Sequence, residues 1–105
     1  MNGRPPPQFA GLEDCVERTL SKVGRRVTLC TPIGVGKPVA LVNQFYRRAA
    51  SDPGIELSIL TGLTLARPTP SSELERRLVE PITERIFGNA PEPEWIAPLR
   101  AGRLP

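Results

Sequence analysis

The chain has 105 residues, thirteen of them proline, a formal net charge of +3 and no histidine. That length suits one small domain or part of a larger one, and the missing histidine excludes histidine general-base catalysis, Ser-His-Asp triads and histidine metal sites. The basic residues come mainly as short pairs, Arg25-Arg26, Arg47-Arg48 and Arg76-Arg77, and no basic run has interleaved aromatics, so no nucleic-acid partner is expected.

Residues 1–11 contain Pro5-Pro6-Pro7 and read as a flexible, extended leader without the apolar core of a signal peptide. No window approaches the roughly 20 apolar residues of a membrane span, so a cytoplasmic protein with no membrane partner is expected. In LEDCVERTLSKVG, the residues Leu12, Cys15, Val16, Leu20 and Val23 recur at helical spacing, and Gly24 supplies a helix stop. Residues 26–31, with Val27 and Leu29, suit a short buried strand, which Pro32 ends by removing a ladder donor. Pro38 fits the first position of a second helix, whose stripe is Val39, Val42, Phe45, Tyr46 and Ala49. Asp52-Pro53-Gly54 is turn chemistry, and Ile55, Leu57 and Ile59 then alternate as a second strand.

The third helix is announced by Ser72 and Glu75, spaced as a capping box. Leu74, Leu78, Ile82 and Ile86 follow every four residues, and Pro81 is expected to kink or split the run. Residues 89–105 read as an irregular proline-rich tail with Trp95-Ile96 and Leu99 as apolar anchors, a segment laid over something else. Cys15 and Cys30 fall on different elements at a spacing that excludes a paired zinc motif. Two buried free thiols and no metal site are expected.

Strand, glycine loop, helix, turn and strand make a βαβ unit, long enough in its crossover for parallel pairing. The domain reading is therefore a leader at 1–11, an α/β body at 12–88 and a tail at 89–105. Two parallel strands leave unpaired edges. The fold class expected is a βαβ-containing portion of an open parallel-sheet, Rossmann-like domain that is incomplete as it stands, with an exposed sheet edge open to oligomer formation.

The stretch TPIGVGKPVALV tests as a phosphate loop and fails. Counting back from Gly36-Lys37, a Walker-type loop needs glycine where Thr31 stands and Ser or Thr where Pro38 stands. The dinucleotide pattern needs a third glycine where Val39 stands. What remains is general: Gly34 and Gly36 permit a tight turn and close approach, the helix start offers N–H groups, and Lys37 adds charge for a carboxylate, thioester oxygen or phosphate. The plain alternative is a strand–helix connection with Lys37 in solvent.

Three stretches taken together, TPIGVGKPVALVNQFYRRAASDP, IELSILTGLTLARP and LVEPITERIFGNAPEPEWIAPLRAGRLP, resemble the start of the acetyl-CoA hydrolase/transferase family, one of the CoA-transferase groups. The resemblance runs from about Leu12 to Pro105. It implies an open α/β N-terminal domain paired with a similar C-terminal one, and CoA transfer between carboxylates or to water through a glutamyl-CoA thioester. Acyl-CoA and a carboxylate would be the substrates and no resident cofactor is implied. It also implies that Gly34, Gly36, Lys37 and Pro38 line the cleft near the acyl or carboxylate group. The catalytic glutamate has no counterpart here, so the chain is expected to be an N-terminal fragment, inactive alone. Two other readings stay open: a small anion- or nucleotide-binding module using the Gly34–Lys37 loop, and a non-catalytic interaction protein.

Overall fold

The computed structural model describes residues 8–33, 36–64 and 67–105. It is mixed α/β, with a two-stranded parallel sheet and four helices in the order α1 (Leu12–Val23), β1 (Arg26–Thr31), α2 (Val39–Ser51), β2 (Glu56–Thr61), α3 (Glu73–Phe87) and α4 (Ile96–Arg100). The strands pair in parallel from Arg26 opposite Glu56 to Thr31 opposite Thr61.

The alternation of side chains along a strand decides which face is covered. Val27 and Leu29 of β1 and Leu57 of β2 join Val16 and Leu20 of α1 and Leu41 and Phe45 of α2 in one apolar cluster. Arg26, Thr28, Cys30, Glu56, Ser58 and Leu60 take the opposite positions and are exposed. Arg26 and Glu56 face each other there, 3.1 Å apart. The expectation of two buried thiols is therefore corrected. Cys30 occupies an outward position on an uncovered face, while Cys15 on α1 is half-buried.

Gly24 ends α1 at φ 93°, a conformation that suits a residue without a β-carbon. Pro38 caps α2 from just outside and Val39 is its first residue, one position later than expected. Pro81 does not split the third helix: α3 runs unbroken from Glu73 to Phe87. Its start matches the capping box, with the Ser72 hydroxyl accepting from the Glu75 N–H at 3.1 Å. The Glu75 carboxylate returns to the Ser71 hydroxyl and N–H.

Asp52 joins three elements at the opposite end of the sheet from the glycine loop. Its carboxylate accepts from the Gly54 N–H at 2.9 Å and pairs with Arg25, just before β1, and with Arg48 of α2. The Gly54 N–H first, then the two guanidinium groups, hold its carboxyl below the ordinary range.

The tail is not irregular throughout, which corrects the reading of residues 89–105. It includes the short helix α4 and is fastened to α2. Asn43, 2% exposed on α2, donates from Nδ2 to the Glu92 carbonyl at 2.7 Å and accepts at Oδ1 from the Glu94 N–H at 2.9 Å. An amide side chain offers one donor and one acceptor side by side, and two backbone groups two residues apart match them. Arg47, one turn further along α2, meets the Glu94 carboxylate at 2.7 Å. Trp95 then turns inward and is 7% exposed.

Two outcomes follow. Asn43→Ala removes two partly buried hydrogen bonds to the tail and should cost about 1–3 kcal/mol in urea unfolding. Trp95 is the single tryptophan, so its emission should shift to the red in that variant, and unchanged emission would contradict the clamp. The second concerns pH. Because the folded carboxyl of Asp52 titrates below its unfolded value, its contribution is present above that unfolded value and is lost as pH falls through the folded one. Thermal melts below about pH 4 should therefore fall more steeply for the native chain than for Asp52→Asn.

Candidate functional site

The C-terminal ends of parallel strands are where open α/β sheets bind ligands. Here that end is formed by the segment after β1, the start of α2 and the segment after β2. Of the four residues expected to line a site, Gly34 lies outside the described residues. Gly36 and Pro38 are exposed at the start of α2, and Lys37 is buried.

Lys37 is 7% exposed, so the alternative of a connection with Lys37 in solvent does not hold. Its ammonium donates to the Pro32 carbonyl at 2.6 Å, the Thr61 hydroxyl at 2.9 Å and the Leu63 carbonyl at 3.1 Å. An ammonium has three N–H donors, and all three are occupied by oxygens of the chain itself. Among the described residues no carboxylate pairs with it. Charge-assisted hydrogen bonds therefore carry the whole offset to the cost of removing it from water. Lys37 ties the exit of β1 to the exit of β2 and holds no donor free for a ligand.

The same two segments touch again beside it. A β-carbon on Gly62 would come within 2.1 Å of the Ile33 Cγ2 methyl, so the segment after β2 packs on Ile33 in a place where any other residue would make that side chain turn away. Nothing in the spacing of TGLT revealed this, because the partner stands 29 positions earlier in the sequence. One polar atom lacks a partner there. The Thr31 hydroxyl is buried and makes no hydrogen bond among the described residues. It stands in register with Thr61, which receives Lys37. Pro38 gives α2 no side-chain cap. The Val39 N–H is taken by the Lys37 carbonyl at 2.8 Å, so the donors left in the first turn of α2 are the N–H groups of Ala40 and Leu41.

Beside β2 runs an apolar groove of about 630 Å³, lined by Tyr46, Ile55, Ile59, Trp95 and Leu99 among others. It opens next to the outer edge of β2, which has no paired strand among the described residues.

No carboxylate stands as a nucleophile in either place. Glu73 pairs with Arg76 and Arg77, Glu80 with Arg76, Glu92 with Arg67, and Glu94 with Arg47. The Arg76 hydrogen bond lowers the Glu73 carboxyl, the Ser71 hydroxyl that of Glu75 and the Arg47 guanidinium that of Glu94. These three are held as anions in exposed ion pairs and hydrogen bonds. That is the opposite of a carboxyl raised for acid catalysis. Among the described residues no group of three or more acidic or cysteine side chains could hold a metal ion.

Comparison of the chain with protein-family models, with curated proteins and with solved structures returns no match. The likeness to the CoA-transferases therefore rests on the sequence blocks alone.

The lysine assignment can be measured directly. Lys22 and Lys37 are the two lysines of the chain. Acetic anhydride footprinting should modify exposed Lys22 readily and leave Lys37 protected until the protein unfolds. Lys37→Met, which keeps the stem and removes the charge, should lower stability by about 1.5–3 kcal/mol. Rapid labelling of Lys37 in the folded protein would contradict the assignment.

Proposed function

We propose that this chain supplies one wall of an acyl-CoA-handling active site of the CoA-transferase or acyl-CoA hydrolase kind, within an open, Rossmann-like parallel sheet. The glutamate nucleophile comes from another domain. The observation that carries the reading is the tie made by Lys37 at the C-terminal end of the strands. It sets the Gly36–Pro38 turn and the start of α2 in one place while leaving backbone N–H groups facing outward. Preorganised donors of this kind suit a carboxylate or thioester oxygen, since they need no reorganisation when charge develops.

The role of each expected residue changes accordingly. Gly36 keeps the turn free of a side chain, and Pro38 stands just before α2 without offering it a side-chain cap. Lys37 positions the turn and does not touch the acyl group. A free-standing anion or nucleotide module is the weaker reading, because its one lysine has no donor to give. The open edge of β2 and the groove beside it support a sheet that continues with further strands.

The chain alone should turn over no acyl-CoA, having no activated carboxylate. An active complemented form should lose activity on borohydride treatment in the presence of acyl-CoA, through reduction of a glutamyl thioester. Turnover by the 105-residue chain would overturn the reading. So would a complemented enzyme indifferent to borohydride.

A further inference from the structure

Helix α3 carries an apolar stripe that nothing covers among the described residues. Leu74, Leu78, Ile82 and Ile86 are 79%, 70%, 53% and 58% exposed. The stripe is not a loosely packed core face, because α3 turns a neighbouring side toward the rest of the chain, where Val79, Thr83 and Phe87 are half-buried. The polar contacts that hold the helix are at its C-terminal end among the described residues. Arg67 donates to the Gly88 carbonyl at 2.6 Å and lies over the Phe87 ring at 5.7 Å. The molecule is accordingly extended, with a radius of gyration of 16.9 Å, against about 13 Å for a compact domain of this length.

The charges on that stripe point to what covers it. At about 100° per residue, Glu75 and Arg85 project from the same face as the four apolar residues, one near each end. Both have capacity to spare. Arg85 makes no ion pair among the described residues, and Glu75 uses Oε2 for Ser71 while Oε1 has no partner among them. When two α3 helices are laid antiparallel about a two-fold axis at position 80, each residue stands level with the one equally far beyond that position. Leu74 then meets the level of Ile86 of the partner subunit, and Leu78 that of Ile82 of the partner subunit. Glu75 comes level with Arg85 of the partner subunit, and the symmetry repeats each pair. Glu80, the residue at the axis, is on the far side of the helix and bound to Arg76 at 2.7 Å, so its charge does not face its own copy.

We propose that the α3 stripe is the contact between two copies of this chain, packed as an antiparallel two-fold helix pair with reciprocal Glu75–Arg85 ion pairs. A two-fold contact must match itself, and this face does so in the levels of its apolar residues and its charges. The inference is independent of the catalytic reading, since it uses neither the glycine loop nor the groove.

Sedimentation equilibrium of the full chain under reducing conditions tests it. The expected result is a species of twice 11.5 kDa that dissociates on dilution. Leu78→Glu and Ile82→Glu should each weaken association by about tenfold or more, because both place a charge in an apolar contact. Circular dichroism and Trp95 emission should not change, as neither residue contributes to the core. Glu75→Lys and Arg85→Glu should each associate poorly alone, and an equimolar mixture of the two should regain the dimer. A native chain that stays monomeric throughout the accessible concentrations would overturn the proposal. So would a dimer unaffected by Leu78→Glu, or a mixture that associates no better than its components.

Discussion

Lys37 reaches from the turn after β1 and donates to oxygens on Pro32, Thr61 and Leu63, so one ammonium gathers the exits of both strands. Beyond the last ladder pair, Thr31 with Thr61, a two-stranded parallel sheet has no further strand to hold its exits together. The position of this charge fixes where α2 begins. From that start, Val42 and Phe45 fall on the buried side, with Phe45 against the sheet, and Asn43 faces the tail. The tail path, the burial of Trp95 and the groove beside β2 are therefore consequences of where α2 is anchored.

Electrostatics are divided between the two ends of the sheet. At one end a buried ammonium is satisfied by neutral oxygens. At the other, Asp52 collects the Gly54 N–H and the guanidinium groups of exposed Arg25 and half-buried Arg48 around the turn. The first arrangement is costly to disturb, because an unpaired charge or carbonyl would remain away from water. The second remains partly open to solvent, and its ion pairs contribute modestly.

Much of the fold was legible because periodicity reports which side of an element is apolar. The capping pair Ser72 and Glu75, the stop at Gly24 and the turn at Asp52 were local signals and appear where the spacing put them. What periodicity cannot report is whether an apolar face finds a partner. The stripe of α3 is as regular as that of α2, yet one is exposed and the other holds the core. Cys30 was misjudged for the same reason, since alternation gives its parity in β1 but not that the second face of the sheet lies bare. The roles of Lys37 and Asn43 were hidden more deeply. Each depends on oxygens or backbone groups brought close by folding, from up to 51 positions away. A lysine beside glycines suggests an anion site, and only the positions of Thr61 and Leu63 show that the chain has filled it.

The account rests on the ammonium of Lys37 being bound by the protein itself, and nitrogen-15 NMR of the lysine side chains observes that group directly. Its protons should exchange slowly with water, show contacts to Thr61 and Leu63, and keep their shifts on titration with acetate, pyrophosphate or coenzyme A. Fast exchange, together with shifts that saturate as one of these anions is added, would contradict the account and return Lys37 to the role of a ligand-binding residue.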